Sequence, residues 1–279
     1  MEPLVVVALL IGALVGLILG LTGAGGSIVA VPLLTLALSL SLHESTGLAL
    51  LAVFASAAFG VATRIFARQI VWLPGLVLAL TGAAAAPFGR VVAGVIPEPA
   101  LVTAFALLSV TISVRMWRDA TRKPDATRVV RAGSDAGVAA AVPLCRMNDW
   151  QPMQLRFRCM AGLAGAGVGI GLLSGLFGVG GGFLIVPVMT YLTDMGIRQA
   201  VSTSLLVISL VSLSGFASHI LLGDTSNIAL ALPLAVGGVL GMLGGNRLSR
   251  RLSGPSLQRI FAVTVVVLTV LLVLRKLVP

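Results

Sequence analysis

Apolar residues run along this chain in long uninterrupted blocks. In the first half an interrupted block covers about 4–42 and is followed by runs near 44–63, 71–94 and 99–117. In the second half an interrupted block covers about 159–193, followed by runs near 197–221, 226–246 and 256–274. About 20 apolar residues carry a helix across a bilayer, whereas the strands of an outer-membrane barrel alternate apolar and polar positions. These runs do not alternate, so the pattern predicts an all-α polytopic membrane protein. Composition agrees: 58% of residues are hydrophobic, 10% are charged and the mean hydropathy is +1.09. A soluble domain carries about a quarter charged residues. Glu2 stands where a signal peptide would be basic, so the first block reads as a retained membrane segment.

The two halves repeat one another. Residues 20–35 read GLTGAGGSIVAVPLLT and residues 175–190 read GLFGVGGGFLIVPVMT. Gly20, Gly23, Gly25 and Gly26 fall on Gly175, Gly178, Gly180 and Gly181, and Pro32 falls on Pro187. After a two-residue shift Ser45-Thr46 matches Ser202-Thr203, and Phe88-Gly89-Arg90 resembles Gly245-Asn246-Arg247. The organisation expected is a first transmembrane repeat over 1–118, a connector over 119–157 and a second repeat over 158–279.

The connector holds Arg122, Lys123, Arg128, Arg131, Arg146 and Arg156 and is broken by Pro124, Pro143 and Pro152. Basic loops mark the cytoplasmic side, so the formal charge of +10 points to the bilayer and not to nucleic acid. With the connector inside, the links holding Arg64 and Arg68, Asp194 and Arg198, and Arg247, Arg250 and Arg251 are inside too. The links at 40–46, 94–99 and Asp224, with both termini, are then outside. Each interrupted block must cross an even number of times, as a re-entrant hairpin or as two thin spans. The remaining odd number of spans makes the repeats inverted. Cys145 and Cys159 are too far apart for a CxxC motif and suggest neither a metal site nor a disulfide framework.

Inverted repeats with broken helices hold substrate near the midplane by half-helix ends. The segments 23–26 and 178–182 are the expected breaks, with helices resuming at about Ser27 and Phe183. Helix N-termini favour anions. The candidate substrate-binding residues are Gly23, Gly25, Gly26, Ser27, Ser45 and Thr46 in the first repeat. In the second they are Gly178, Gly180, Gly181, Gly182, Ser202, Thr203 and Ser204. Tight helix packing is the competing reading of the glycines, and helix capping that of the hydroxyls. None of the nine acidic residues sits mid-span, which disfavours a cation substrate and a carboxylate proton relay. Arg64, Arg90 and Arg247 read as snorkelling anchors, His219 as a packed or interfacial residue, and Trp72 and Trp117 as interface markers. No catalytic residue, metal or cofactor is called for.

GLTGAGGSIVAVPLL and GLFGVGGGFLIVPVM, each opening a hydrophobic half, resemble the paired motif of the sulfite exporter TauE/SafE family. The Ser45-Thr46 and Ser202-Thr203 steps and the GNRLSRRL stretch are also similar to that family. The resemblance covers nearly everything outside 119–157 and implies a bacterial inner-membrane permease for sulfite, sulfonates or other small sulfur-containing anions. Ser27 against Gly182, and His43-Glu44 against Ala200-Val201, are where the two motifs depart from one another. The partners expected are a small anionic substrate and the lipid bilayer, with no nucleic acid. Two alternatives compete: a non-transporting membrane subunit or assembly factor docking through the basic connector, and an intramembrane hydrolase using Ser174 and His219.

Overall fold

The computed structural model describes residues 2–23, 26–38, 40–65, 69–122, 157–193, 195–222, 228–248 and 254–277. Among them the first half forms α1 (Glu2–Thr22), α2 (Ser27–Leu38), α3 (Leu42–Ile65), α4 (Trp72–Val95) and α5 (Glu98–Arg122). The second half forms α6 (Phe157–Phe177), α7 (Gly182–Leu192), α8 (Ile197–Leu221), α9 (Ala231–Leu248) and α10 (Gly254–Leu277). A single 3-10 turn, Ile228–Leu230, leads into α9. Six of the helices are long and apolar enough to cross a membrane. Leu80, Phe88, Leu107 and Leu232 are each more than 60% exposed, a surface suited to lipid and not to water.

Helix α5 runs four residues into the expected connector. Arg118 is exposed, so burial of its charge does not stop the helix at 118. The connector from 123 to 156 lies outside the described residues. Cys159, at the start of α6, is disulfide-bonded, contrary to the sequence reading.

Contacts set the level of each helix. α3 and α8 run antiparallel, with Gly47 against His219, Leu50 against Gly215 and Gly60 against Leu205. α4 runs parallel to α8: Val71 N–H donates to Thr203 Oγ1 (3.0 Å) and Arg90 Nε–H to His219 Nδ1 (3.1 Å). α9 runs parallel to α3, with Gly238 against Ser56 and Met242 against Gly60. The upper end of the bundle therefore gathers the N-termini of α1, α3, α5 and α9 and the C-termini of α4, α6 and α8. The lower end gathers the N-termini of α4, α6 and α8 and the C-termini of α1, α3 and α9. Each interrupted block is a helix of 21 residues followed by a shorter one, of 12 residues in the first half and 11 in the second.

Helix pairing exchanges partners between the halves: α1 packs on α9, and its counterpart α6 packs on α4. Gly12, Gly16 and Gly20 line one face of α1, and a Cβ on any of them would overlap the α9 backbone at Leu234, Gly238 or Met242. Gly237, Gly241 and Gly245 return the fit against Leu9, Ala13 and Leu17. On α6, Gly167, Gly171 and Gly175 meet Leu78, Gly82 and Ala86 of α4 in the same way. Lipid tails are as apolar as leucine, so membrane helices associate through such close backbone approach. Helices α1, α2, α3 and α9 pack on one another, as do α4, α6, α7 and α8. The two groups meet along α3 against α8, α4 and α8 lying side by side within one of them, and at α2 against α7; α10 packs on α5 and on α2.

Glycine spacing predicts which substitutions this scaffold refuses. Gly16→Val forces a side chain into the Gly238 backbone and should lower stability by about 2 kcal/mol or more. Gly244→Ala adds its methyl to open space and should be neutral. Thermal unfolding of the detergent-purified variants checks this; a Gly16→Val protein melting with the wild type would contradict the zipper.

Candidate functional site

The first break begins where α1 ends. Gly23 N–H donates to Leu19 O (2.7 Å), a helix-terminating bond, and its φ of +72° is one that L side chains rarely adopt. Gly178 does the same at the end of α6, donating to Ser174 O (2.8 Å) with φ +68°. Matched positions of the repeat thus leave the helix through the same left-handed step, available to glycine at no steric cost. Their surroundings differ in level: Gly23 packs on Val201 near the start of α8, and Gly178 on Thr46 near the start of α3. One break lies towards the lower end and the other towards the upper.

From there both chains turn inward and meet. A Cβ on Gly180 would lie 2.9 Å from Ser212 Oγ, 3.1 Å from Val53 Cγ1 and 3.5 Å from Ser27 Cβ. Val53 is midway along α3 and Ser212 is in the second half of α8, so this is mid-depth in the bundle. Ser27 opens α2, which rises to the upper end, where the Thr35 hydroxyl bonds the Ser45 hydroxyl (2.9 Å). Gly181 is the N-cap of α7, which descends to the lower end and carries no side-chain cap. The two half-helices therefore stand head to head, N-terminus towards N-terminus. Leu184 and Ile185 N–H groups donate to Gly181 O (3.0 and 3.3 Å), leaving those of Gly182 and Phe183 without an intrahelical acceptor.

Ser27 and Ser212 are fully buried, and neither hydroxyl has a hydrogen-bond partner. Buried polar groups are satisfied in nine cases of ten or more; the hydroxyls of Ser109, Ser174 and Thr269 are likewise unpartnered, and Ser27 and Ser212 are the two whose atoms lie nearest Gly180. Pro32 and Pro187 lie inside α2 and α7 and cannot donate to Ile28 and Phe183, four residues earlier.

The remaining predicted residues have other employment. Gly26 packs on α1, where a Cβ would meet Val15 O at 2.6 Å and Leu19 N at 2.7 Å; Gly25 lies outside the described residues. Thr46 Oγ1–H donates to Leu42 O (2.7 Å). Ser202 Oγ–H reaches Gln69 Oε1 (3.4 Å), and Thr203 accepts from Val71. Ser204 Oγ–H donates to Val201 O (2.8 Å) and sits 3.4 Å from Gly23 O, tying the first break to α8. Ser45 and Thr46 do not cap α3, because a capping box does: Ser41 N–H donates to Glu44 Oε2 (3.1 Å) and Glu44 N–H to Ser41 Oγ (3.3 Å). Glu98 accepts a further orphan donor, Leu42 N–H (3.2 Å).

Two residues change role. Arg90 is not a snorkelling anchor: it is 8% exposed and bonded to His219, itself 1% exposed, near the upper end of α4 and α8. Gly175 of α6 holds it there, a Cβ on that glycine falling 2.8 Å from Arg90 N. Ser212 was missed by motif reading because it belongs to neither glycine cluster nor a helix start. Its signal in the sequence is a hydroxyl deep inside an apolar run, beyond the reach of any cap. The Ser174 hydroxyl makes no hydrogen bond, so the Ser174–His219 pair a hydrolase would need is not formed.

Comparison with known proteins accords with this architecture. A probable membrane transporter protein of Xylella fastidiosa (strain Temecula1) is 28% identical over 271 residues, 95% of this chain and 93% of its own. The probable membrane transporter protein YunE of Bacillus subtilis is 25% identical over 273 residues, 94% of this chain and 95% of its own. No solved structure matches the chain. The sulfite exporter TauE/SafE family model matches residues 8–272, both glycine breaks and all ten helices included in whole or in part, and the chain belongs to that family of membrane proteins.

Proposed function

We propose that this chain is a permease carrying small sulfur-containing anions, such as sulfite or sulfonates, across the bacterial inner membrane, with the anion held where the two breaks meet. The observation that carries this is the pair of buried, unpartnered hydroxyls, Ser27 and Ser212, beside two helix N-termini directed at one another. Free N–H groups and the dipole end both favour negative charge. The family name supports the sulfur chemistry, and the relatives' names support transport.

We read the halves as inverted repeats. Equivalent helices related by a two-fold axis run antiparallel when that axis is perpendicular to them, and the equivalent helices α3 and α8 do run antiparallel. The lower end is read as cytoplasmic, because α5 leaves it carrying Arg115, Arg118 and Arg122 and α9 carrying Arg247. Both termini then face outward. Ser27 belongs to one group of helices, Gly180 and Ser212 to the other, so the site lies in the seam between them. Relative movement of the two groups along that seam would open it to each side in turn.

In proteoliposomes, Ser27→Ala and Ser212→Ala should each cut anion flux by about tenfold or more, the loss of one hydrogen bond to a charged group, with unfolding temperatures kept within a few degrees. Full flux from well-folded double variant would remove the site. A second test concerns movement. A disulfide across the seam, from Leu50→Cys and Gly215→Cys, should stop flux until it is reduced. One inside a group, from Ala83→Cys and Ser214→Cys, should leave flux unchanged; equal effects of the two would contradict the division.

A further inference from the structure

We infer that the central site accepts monoanions and rejects dianions. This rests on the anion-permease reading above and concerns the charge that such a site can hold. The two blocks that build the breaks contain no lysine or arginine: residues 1–63 and 159–197 have none. The three atoms nearest a Cβ placed on Gly180 belong to Ser212, Val53 and Ser27, two hydroxyl-bearing residues and a hydrocarbon. The positive potential there comes from the N-termini of α2 and α7, each equivalent to roughly half an elementary charge. Head to head, they sum to about one.

Among the described residues the buried cation is Arg90. It bonds His219, which lies seven residues beyond Ser212 on α8, about 10 Å at helical rise. Its attraction grows in proportion to the charge of the anion. The cost of taking the anion out of water grows with the square of that charge. A dianion therefore doubles the gain from both the half-helices and Arg90 while quadrupling the loss, and no side-chain cation is among the described atoms nearest Gly180 to make up the difference. The hydroxyls donate without adding charge, so they bind either ion and do not alter this balance.

The test compares anions of similar size and different charge in proteoliposomes of the full chain, against protein-free vesicles. Methanesulfonate, singly charged, should enter at least tenfold faster than sulfate. Sulfite, which loses its second proton near neutral pH, should slow about tenfold per pH unit above that point, as the hydrogensulfite fraction falls. Methanesulfonate keeps its charge across the same range, so its flat profile separates titration of the substrate from titration of His219, the one buried imidazole among the described residues. Sulfate moving as fast as methanesulfonate, or sulfite flux rising with pH, overturns the charge assignment while leaving the permease in place. No flux of any of these anions overturns both.

Discussion

Backbone that leaves the helix inside a bilayer finds no water for its N–H and C=O groups, so it survives only where protein surrounds it. That constraint organises this molecule. Two segments, one in each half, abandon helical geometry within the bundle, and each needs a sheath of neighbouring helices packed closely enough to exclude lipid. The glycine faces of α1 against α9 and of α6 against α4 supply the close approach. By pairing a helix of one half with a helix of the other, they also make the halves inseparable. The long helices α3 and α8 then close over the breaks from opposite sides, contributing Val53 and Ser212.

The same constraint explains why the polar residues divide as they do. Hydroxyls near the starts of α3 and α8 are taken up in holding the fold: Thr203 on Val71, Ser204 by the first break, Ser45 on Thr35. At the centre, where the half-helices face each other, Ser27 and Ser212 stay unsatisfied. A resting site with unpaired donors and one unit of diffuse positive charge suits a small anion in passage.

Much of this was legible in the amino-acid order. The blocks near 71–94 and 197–221 became α4 and α8 within a few residues, because an apolar run bounded by charge has one stable form in a bilayer. Where glycine and proline recur in register, helices start at Ser27 and Gly182, close to the expected positions. The details of the site were not legible. Ser45, Thr46, Ser202 and Thr203 recur in the repeat as faithfully as the glycines, but recurrence reports a shared architecture and not contact with a ligand. Ser212 has no repeat signature, and only the folding of α8 across α7 brings it to Gly180. Arg90 looked like an anchor near a helix end. What it bonds is the imidazole of His219, more than a hundred positions away along the chain.

The central claim is that the two breaks form one buried anion site, and labelling tests it most directly. Ser27→Cys and Ser212→Cys, each made with both native cysteines replaced, would be exposed to a small anionic methanethiosulfonate in membranes with and without methanesulfonate. The account predicts that both positions react and that methanesulfonate protects both over the same concentration range. Protection of one position alone, or reaction at both with no protection, would contradict a shared site.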